Sequence, residues 1–210
     1  MTAEDLLTSR DHVVIALDGP VAELPGRNTI AARLRVLVAD GRLPRKVART
    51  EDPFAVLAHA ATIGPGTERA VYAQLCRLET ELAAAARITP GVEEAFAKLA
   101  TAGTRLTVVS ALAVEAVRTI LVMHGLDRHV QRIAGRAGPD LKNLPPAPGL
   151  IIAALRECLV PVEHCLFVGS TDADLTAGRA AGVETVRYRG PGPWFDALDV
   201  ARSAGERRAY

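Results

Sequence analysis

Two kinds of hydrophobic pattern alternate along this chain. Short unbroken apolar runs read as strands buried on both faces: Val13 to Leu17, Leu106 to Ser110, Val130 to Ala134, Cys165 to Gly169 and Thr185 to Tyr188. Between them, apolar residues return at three- and four-residue spacing and predict helices over Val92 to Ala102, Ala113 to His124, Gly149 to Cys158 and Asp172 to Ala181. Their ends carry matching signals, with Thr89-Pro90 opening the first, and Gly125 and Gly182 closing the second and the last. This is the pattern of an α/β fold, a parallel sheet covered by helices on both faces.

The stretch from about Glu23 to Arg87 breaks that alternation. It contains no strand pattern and three helical ones, Ile30 to Asp40, Pro53 to Ile63 and Thr67 to Ala86. Asp52 before Pro53 is a cap ahead of a first-turn proline, and Gly64-Pro65-Gly66 turns the chain between the second and third helices. The simplest architecture is a Rossmann-like parallel sheet core, residues 1–22 and 89–210, with an all-helical insert, residues 23–88, after its first strand. Pattern is lost at Pro25-Gly26-Arg27 and near Thr89-Pro90-Gly91, which marks the hinges. There is no internal repeat, and the polar end Arg202 to Tyr210 reads as a fraying tail.

Composition narrows the function classes. The 210 residues carry a net charge of +1 and only 4% aromatics, which supplies neither the basic track nor the stacking platform of a nucleic-acid binder. No apolar run approaches the roughly 20 residues that span a bilayer, and the acidic start Met1-Thr2-Ala3-Glu4-Asp5 is unlike a leader, so a cytoplasmic protein with no membrane partner is expected. Cys76, Cys158 and Cys165 match no zinc or redox spacing and are expected as buried thiols. His12, His59, His124, His129 and His164 are scattered and are expected at the surface or at helix ends. Lysine occurs only at Lys46, Lys98 and Lys142, an arginine bias of the kind that GC-rich coding produces.

In such a sheet, ligands bind beyond the carboxyl ends of the central strands. There the sequence places Asp18-Gly19-Pro20 after the first strand, Ser110 at the end of the second, Pro146-Ala147-Pro148 before the helix preceding the fourth, and Gly169-Ser170-Thr171-Asp172-Ala173-Asp174 after the fourth. In this order, and with Val13-Val14-Ile15-Ala16-Leu17 ahead of Asp18 and Ala180-Ala181-Gly182-Val183 behind the last motif, the chain resembles the haloacid dehalogenase-like hydrolases, in particular the phosphoglycolate phosphatase-like branch with a helical cap.

The resemblance implies a fold and a site, and the site departs from the family pattern. An aspartate that attacks phosphorus is implied two residues before the acid/base; this chain has Ala16 there, whose methyl group has no lone pair, while Asp18 matches the acid/base itself. Ser110 corresponds to the hydroxyl that holds the phosphoryl group. The lysine implied just before Pro-x-Pro is Pro145, with Lys142 the nearest substitute upstream. Of the carboxylates implied for Mg²⁺ at positions 16, 170 and 174, only Asp174 is present; Ser170 stands at the second, and Asp172 shares its loop. Each residue also has a structural reading: Asp18 in the turn, Ser110 capping the next helix, and Asp172 and Asp174 complementing a helix dipole. The expectation is a family member whose phosphatase site is dismantled, serving as a binding or regulatory protein, with no cofactor or weakly bound Mg²⁺ and with a phosphorylated small molecule or a protein as partner. The alternative is a magnesium-dependent hydrolase of small phosphate esters that works by direct water attack or a non-standard nucleophile.

Overall fold

The computed structural model describes residues 1–39 and 43–200. In chain order the elements are α1 (Ala3–Thr8), β1 (His12–Ala16), β2 (Ala22–Glu23), α2 (Ile30–Arg35), α3 (Arg45–Arg49), α4 (Pro53–Ile63), α5 (Pro65–Ala83), β3 (Arg87–Ile88), α6 (Val92–Thr101), β4 (Arg105–Ala113), α7 (Val114–Met123), β5 (Arg132–Arg136), α8 (Gly149–Cys158), β6 (Cys165–Gly169), α9 (Asp172–Ala180), β7 (Glu184–Tyr188) and β8 (Leu198–Asp199). The main sheet runs β5-β4-β1-β6-β7-β8, and every pairing in it is parallel except that of β8 with β7. The protein is therefore α/β with a Rossmann-like parallel core, and the five expected strands are its five parallel strands.

β1 lies between β4 and β6 and is buried along its whole length, because helices cover both faces of the sheet. Val13, Ile15 and Leu17 pack with α6 and α7 on one face; Val14 and Ala16 pack with Ile151, Ala154, Phe167 and Ala177 on the other. The helices of the insert close around a core of their own, built from Ile30, Leu34, Val56, Leu57, Val71, Leu75 and Leu78. β2 and β3 pair antiparallel where the chain leaves and re-enters the sheet domain.

Some elements are not visible in the hydrophobic pattern. β2, β3 and β8 are two residues long and α3 buries only Val47, so none of them carries a period. α1 is set by a capping box between Thr2 and Asp5 rather than by a stripe. β4 continues to Ala113, past its expected end, because its pairing with β5 shifts register between Val109 and Ala113. The expected end of the first insert helix at Asp40 and the tail Arg202 to Tyr210 lie outside the described residues.

Two expectations need correction. His12 is not a surface residue: it is fully buried at the start of β1, with Nε2 2.9 Å from Thr107 Oγ1 and 3.4 Å from Cys158 Sγ. Burial, assisted by the charge of Arg105, lowers its pKa to about 4, so the ring is neutral at pH 7. The other four histidines are exposed or half-buried. Of the cysteines only Cys165 is buried; Cys76 and Cys158 are half-buried, and all three are free thiols. Trp194 is an anchor, its Nε1 donating to the Pro20 carbonyl (2.7 Å) in the turn that follows β1.

One buried ion pair ties the insert to the sheet. Arg136, the last residue of β5, meets Glu79 of α5 at 2.5 Å, and each side chain is only 1% exposed. Glu79 also accepts from the Ala113 N–H (2.9 Å), and Arg136 Nε donates to the Ala111 carbonyl (3.1 Å). The guanidinium lies 4.9 Å from the ring centre of Tyr72 and 5.7 Å from that of Phe54, both in the insert. Burial raises the pKa of Glu79, and the Arg136 charge opposes that rise. Removing one member of such a pair leaves the other charge buried alone, whereas replacing both by apolar groups does not. Arg136→Met is therefore expected to lower stability by about 3–5 kcal/mol in urea unfolding, and adding Glu79→Leu to recover most of it. A loss in the double variant equal to the sum of the losses in Arg136→Met and in Glu79→Leu alone would mean that the pair carries no coupling.

Candidate ligand cleft at the end of the central strand

The sheet order changes direction at β1, whose carboxyl end faces the crevice where α/β sheets bind ligands. A cleft of about 210 Å³ opens there, and it gathers Ala16, Asp18, Ser110, Pro145 and Asp174 together with Arg27 and Phe54 from the insert. Lys142, Ser170 and Asp172 do not line it. The chain thus brings most of the residues singled out in the sequence to one place, and how they are used there decides what they can do.

Leu17 continues β1 into a tight turn in which Gly19 has φ +95. A Cβ on Gly19 would come within 2.7 Å of Ser170 Oγ, so the turn requires glycine on both counts. Ser170 Oγ donates to the Asp18 carbonyl (2.7 Å), and Thr89 Oγ1 donates to the Gly19 carbonyl (2.6 Å). The Asp18 side chain, half exposed, accepts from Arg27 Nη1 at 2.5 Å. Arg27 was not among the candidates; its only sequence signal is its place directly after the Pro25-Gly26 break.

Ser110 sits in the β4 irregularity, where its Oγ accepts from the Leu112 N–H (3.1 Å). It does not cap α7, which starts at Val114 with Ala113 in the cap position. Asp174 fills a capping box at the start of α9: Thr171 Oγ1 accepts from the Asp174 N–H (3.1 Å), and Asp174 Oδ2 accepts from the N–H groups of Thr171 (2.9 Å) and Ser170 (3.2 Å). Asp172 turns to Arg187, whose guanidinium holds its carboxyl below the usual carboxylate pKa. Lys142 is exposed in the loop before α8.

Residues 61–188 match the family described as haloacid dehalogenase-like hydrolase. The chain belongs to this family. The matched span begins downstream of β1, so it covers Ser110, Pro145 and the α9 loop but not Ala16 or Asp18. Among curated relatives, phosphoglycolate phosphatase of Colwellia psychrerythraea is 27% identical over 95 residues, 45% of this chain and 41% of that protein, so the aligned stretch spans less than half of the relative. Among solved structures, CbbY from Rhodobacter sphaeroides in complex with phosphate superimposes with a TM-score of 0.66 at 21% identity, covering 88% of each chain. A subfamily IA haloacid dehalogenase-superfamily hydrolase from Geobacter sulfurreducens gives 0.58 at 22% identity, covering 88% of this chain and 90% of that one. At these identities the structural likeness establishes the fold.

The magnesium typical of this family has a poor fit to the residues present here. At the strand position Ala16 offers a methyl group, the Asp18 carbonyl is occupied by the Ser170 hydroxyl, and Asp174 Oδ2 is shared by two backbone N–H groups. Among the described residues no group of three or more His, Cys, Asp or Glu is placed to hold a metal ion. A hard cation that takes six oxygens in near-octahedral array would gain none from Ala16 and would compete with Arg27 for the Asp18 carboxylate. A ligand that binds only the folded state stabilises it by RT ln(1 + [L]/Kd) and so raises the unfolding temperature. Millimolar Mg²⁺ is accordingly expected to leave the thermal midpoint where millimolar Ca²⁺ or Na⁺ of equal ionic strength leaves it; a rise of several degrees specific to Mg²⁺ would show that a metal site forms.

Proposed function

We propose that this chain is a non-catalytic member of the haloacid dehalogenase-like hydrolases, whose cleft binds a ligand without hydrolysing it. The observation that supports this reading best is the Arg27–Asp18 pair at 2.5 Å beside the Ala16 methyl group. Covalent phosphoryl transfer needs a nucleophile with an available lone pair next to an acid/base that can exchange its proton with the leaving oxygen and then with water. Ala16 offers no nucleophile, and Asp18 is engaged by a permanent cation from the insert. Pro145, in the place where the family resemblance implies lysine, adds no positive charge to stabilise a transferring phosphoryl group.

The competing reading, hydrolysis by water with Asp18 as base, draws on the fact that Asp18 lines the cleft and is half exposed. Loss of one member of a concerted catalytic unit costs on the order of a millionfold in turnover, which favours binding over residual catalysis. The deciding experiment is hydrolysis of para-nitrophenyl phosphate at high protein concentration, with and without Mg²⁺, beside Asp18→Asn. Identical background rates in all four samples are expected. Magnesium-dependent turnover that disappears in Asp18→Asn would establish an enzyme and end the non-catalytic reading.

A further inference from the structure

The composition of the cleft wall says more about its ligand than the residues inherited from the family do. Resting on the non-catalytic reading above, we infer that the cleft takes an uncharged small molecule with an apolar, ring-sized body and one polar group, in place of a phosphate ester.

Three observations carry this. The first is charge. The ionised side chains that line the cleft are Asp18, Asp174 and Arg27, and the single cation among them is already neutralised by Asp18 at 2.5 Å. A phosphate group entering here would meet two carboxylates against one cation that Asp18 already shares, while Lys142 is exposed and outside the lining. An uncharged molecule leaves the pair intact.

The second is the wall itself. Phe54, Val109, Leu144, Leu150, Ile151 and Phe167 are among the residues that line it, and Ala16 and Pro145 stand where charged groups would make it hydrophilic. The Phe54 side of the wall belongs to the insert, and the Arg136 guanidinium of the buried ion pair packs against that ring, so the apolar wall is held in place before any ligand arrives. A preformed apolar site binds without the cost of ordering its own walls.

The third is size and polarity. An apolar cavity of roughly 150 Å³ holds benzene, so the 210 Å³ here suit a ring carrying a short substituent. Ser110 Oγ accepts from the Leu112 N–H, which leaves its own O–H to donate to one ligand oxygen.

Benzyl alcohol and benzyl phosphate share a ring and a methylene and differ in the charged group, so they separate the two ligand classes. The full chain is titrated with each by NMR, with release of benzyl alcohol from the phosphate followed in parallel. The alcohol is expected to bind at least about tenfold tighter than the phosphate, a difference of about 1.4 kcal/mol. Ala147→Trp, which fills the cleft, is expected to abolish that binding, and Ala173→Phe repeats the test from α9 if the first variant does not fold by circular dichroism. Tighter binding of intact benzyl phosphate, lost in Arg27→Ala, would overturn the inferred ligand class and leave the non-catalytic reading standing. Magnesium-dependent release of benzyl alcohol would overturn the non-catalytic reading itself. Absence of saturable alcohol binding, or binding unchanged in a folded cleft-filling variant, would overturn the inference.

Discussion

The Glu79–Arg136 pair is the constraint on which the arrangement of the cleft depends. Two opposite charges at 1% exposure are tolerated only when their hydrogen-bonding capacity is spent on each other and on nearby backbone, and here the backbone is that of β4 beside the cleft. The same guanidinium is sandwiched near Tyr72 and Phe54, so one residue at the end of β5 sets the position of α5 and of an aromatic wall from α4. Moving the insert away would break this pair and the Glu79 bond to the Ala113 N–H. The same arrangement sets Arg27 of the insert against Asp18 at the end of β1.

In and around the cleft polar groups bond to one another. Ser170 donates to the Asp18 carbonyl, Asp174 accepts from two backbone N–H groups, Asp172 turns to Arg187, and Asp18 is held by Arg27. Each contact is an ordinary stabilising device: a turn bond, a capping box, two ion pairs. Together they engage Asp18, Ser170, Asp172 and Asp174, residues that the family resemblance implies for a phosphatase site. Internal hydrogen bonds of this kind satisfy polar atoms without a bound ion.

Much of this was legible in the sequence, and what was not has a physical reason. The five parallel strands and the helices on them were legible because each buries an apolar face with its own period; α4 and α8 fall on their expected residues. The two-residue strands β2, β3 and β8 have no period to read. His12 was misplaced because its burial depends on Thr107 and Cys158, which arrive from distant parts of the chain. The candidate residues Asp18, Ser110 and Asp174 were found through strand ends, but their partners were not: Arg27 is an ordinary arginine after a turn, and Arg136 is an ordinary strand end. Glu79 did carry a signal, a carboxylate inside the apolar stripe of Val71, Leu75, Leu78 and Leu82, and a charge in that position calls for a buried partner.

We propose that Asp18 and Asp174, engaged by Arg27 and by the start of α9, hold neither a metal nor a phosphate in the cleft. A crystal structure of the protein grown with both Mg²⁺ and inorganic phosphate tests it most directly. The account predicts the Arg27–Asp18 pair, the Ser170 bond to the Asp18 carbonyl and the Asp174 capping box all intact, with neither ion in the cleft. Magnesium coordinated by the Asp18 carbonyl and Asp174, with phosphate beside Ser110, would contradict it.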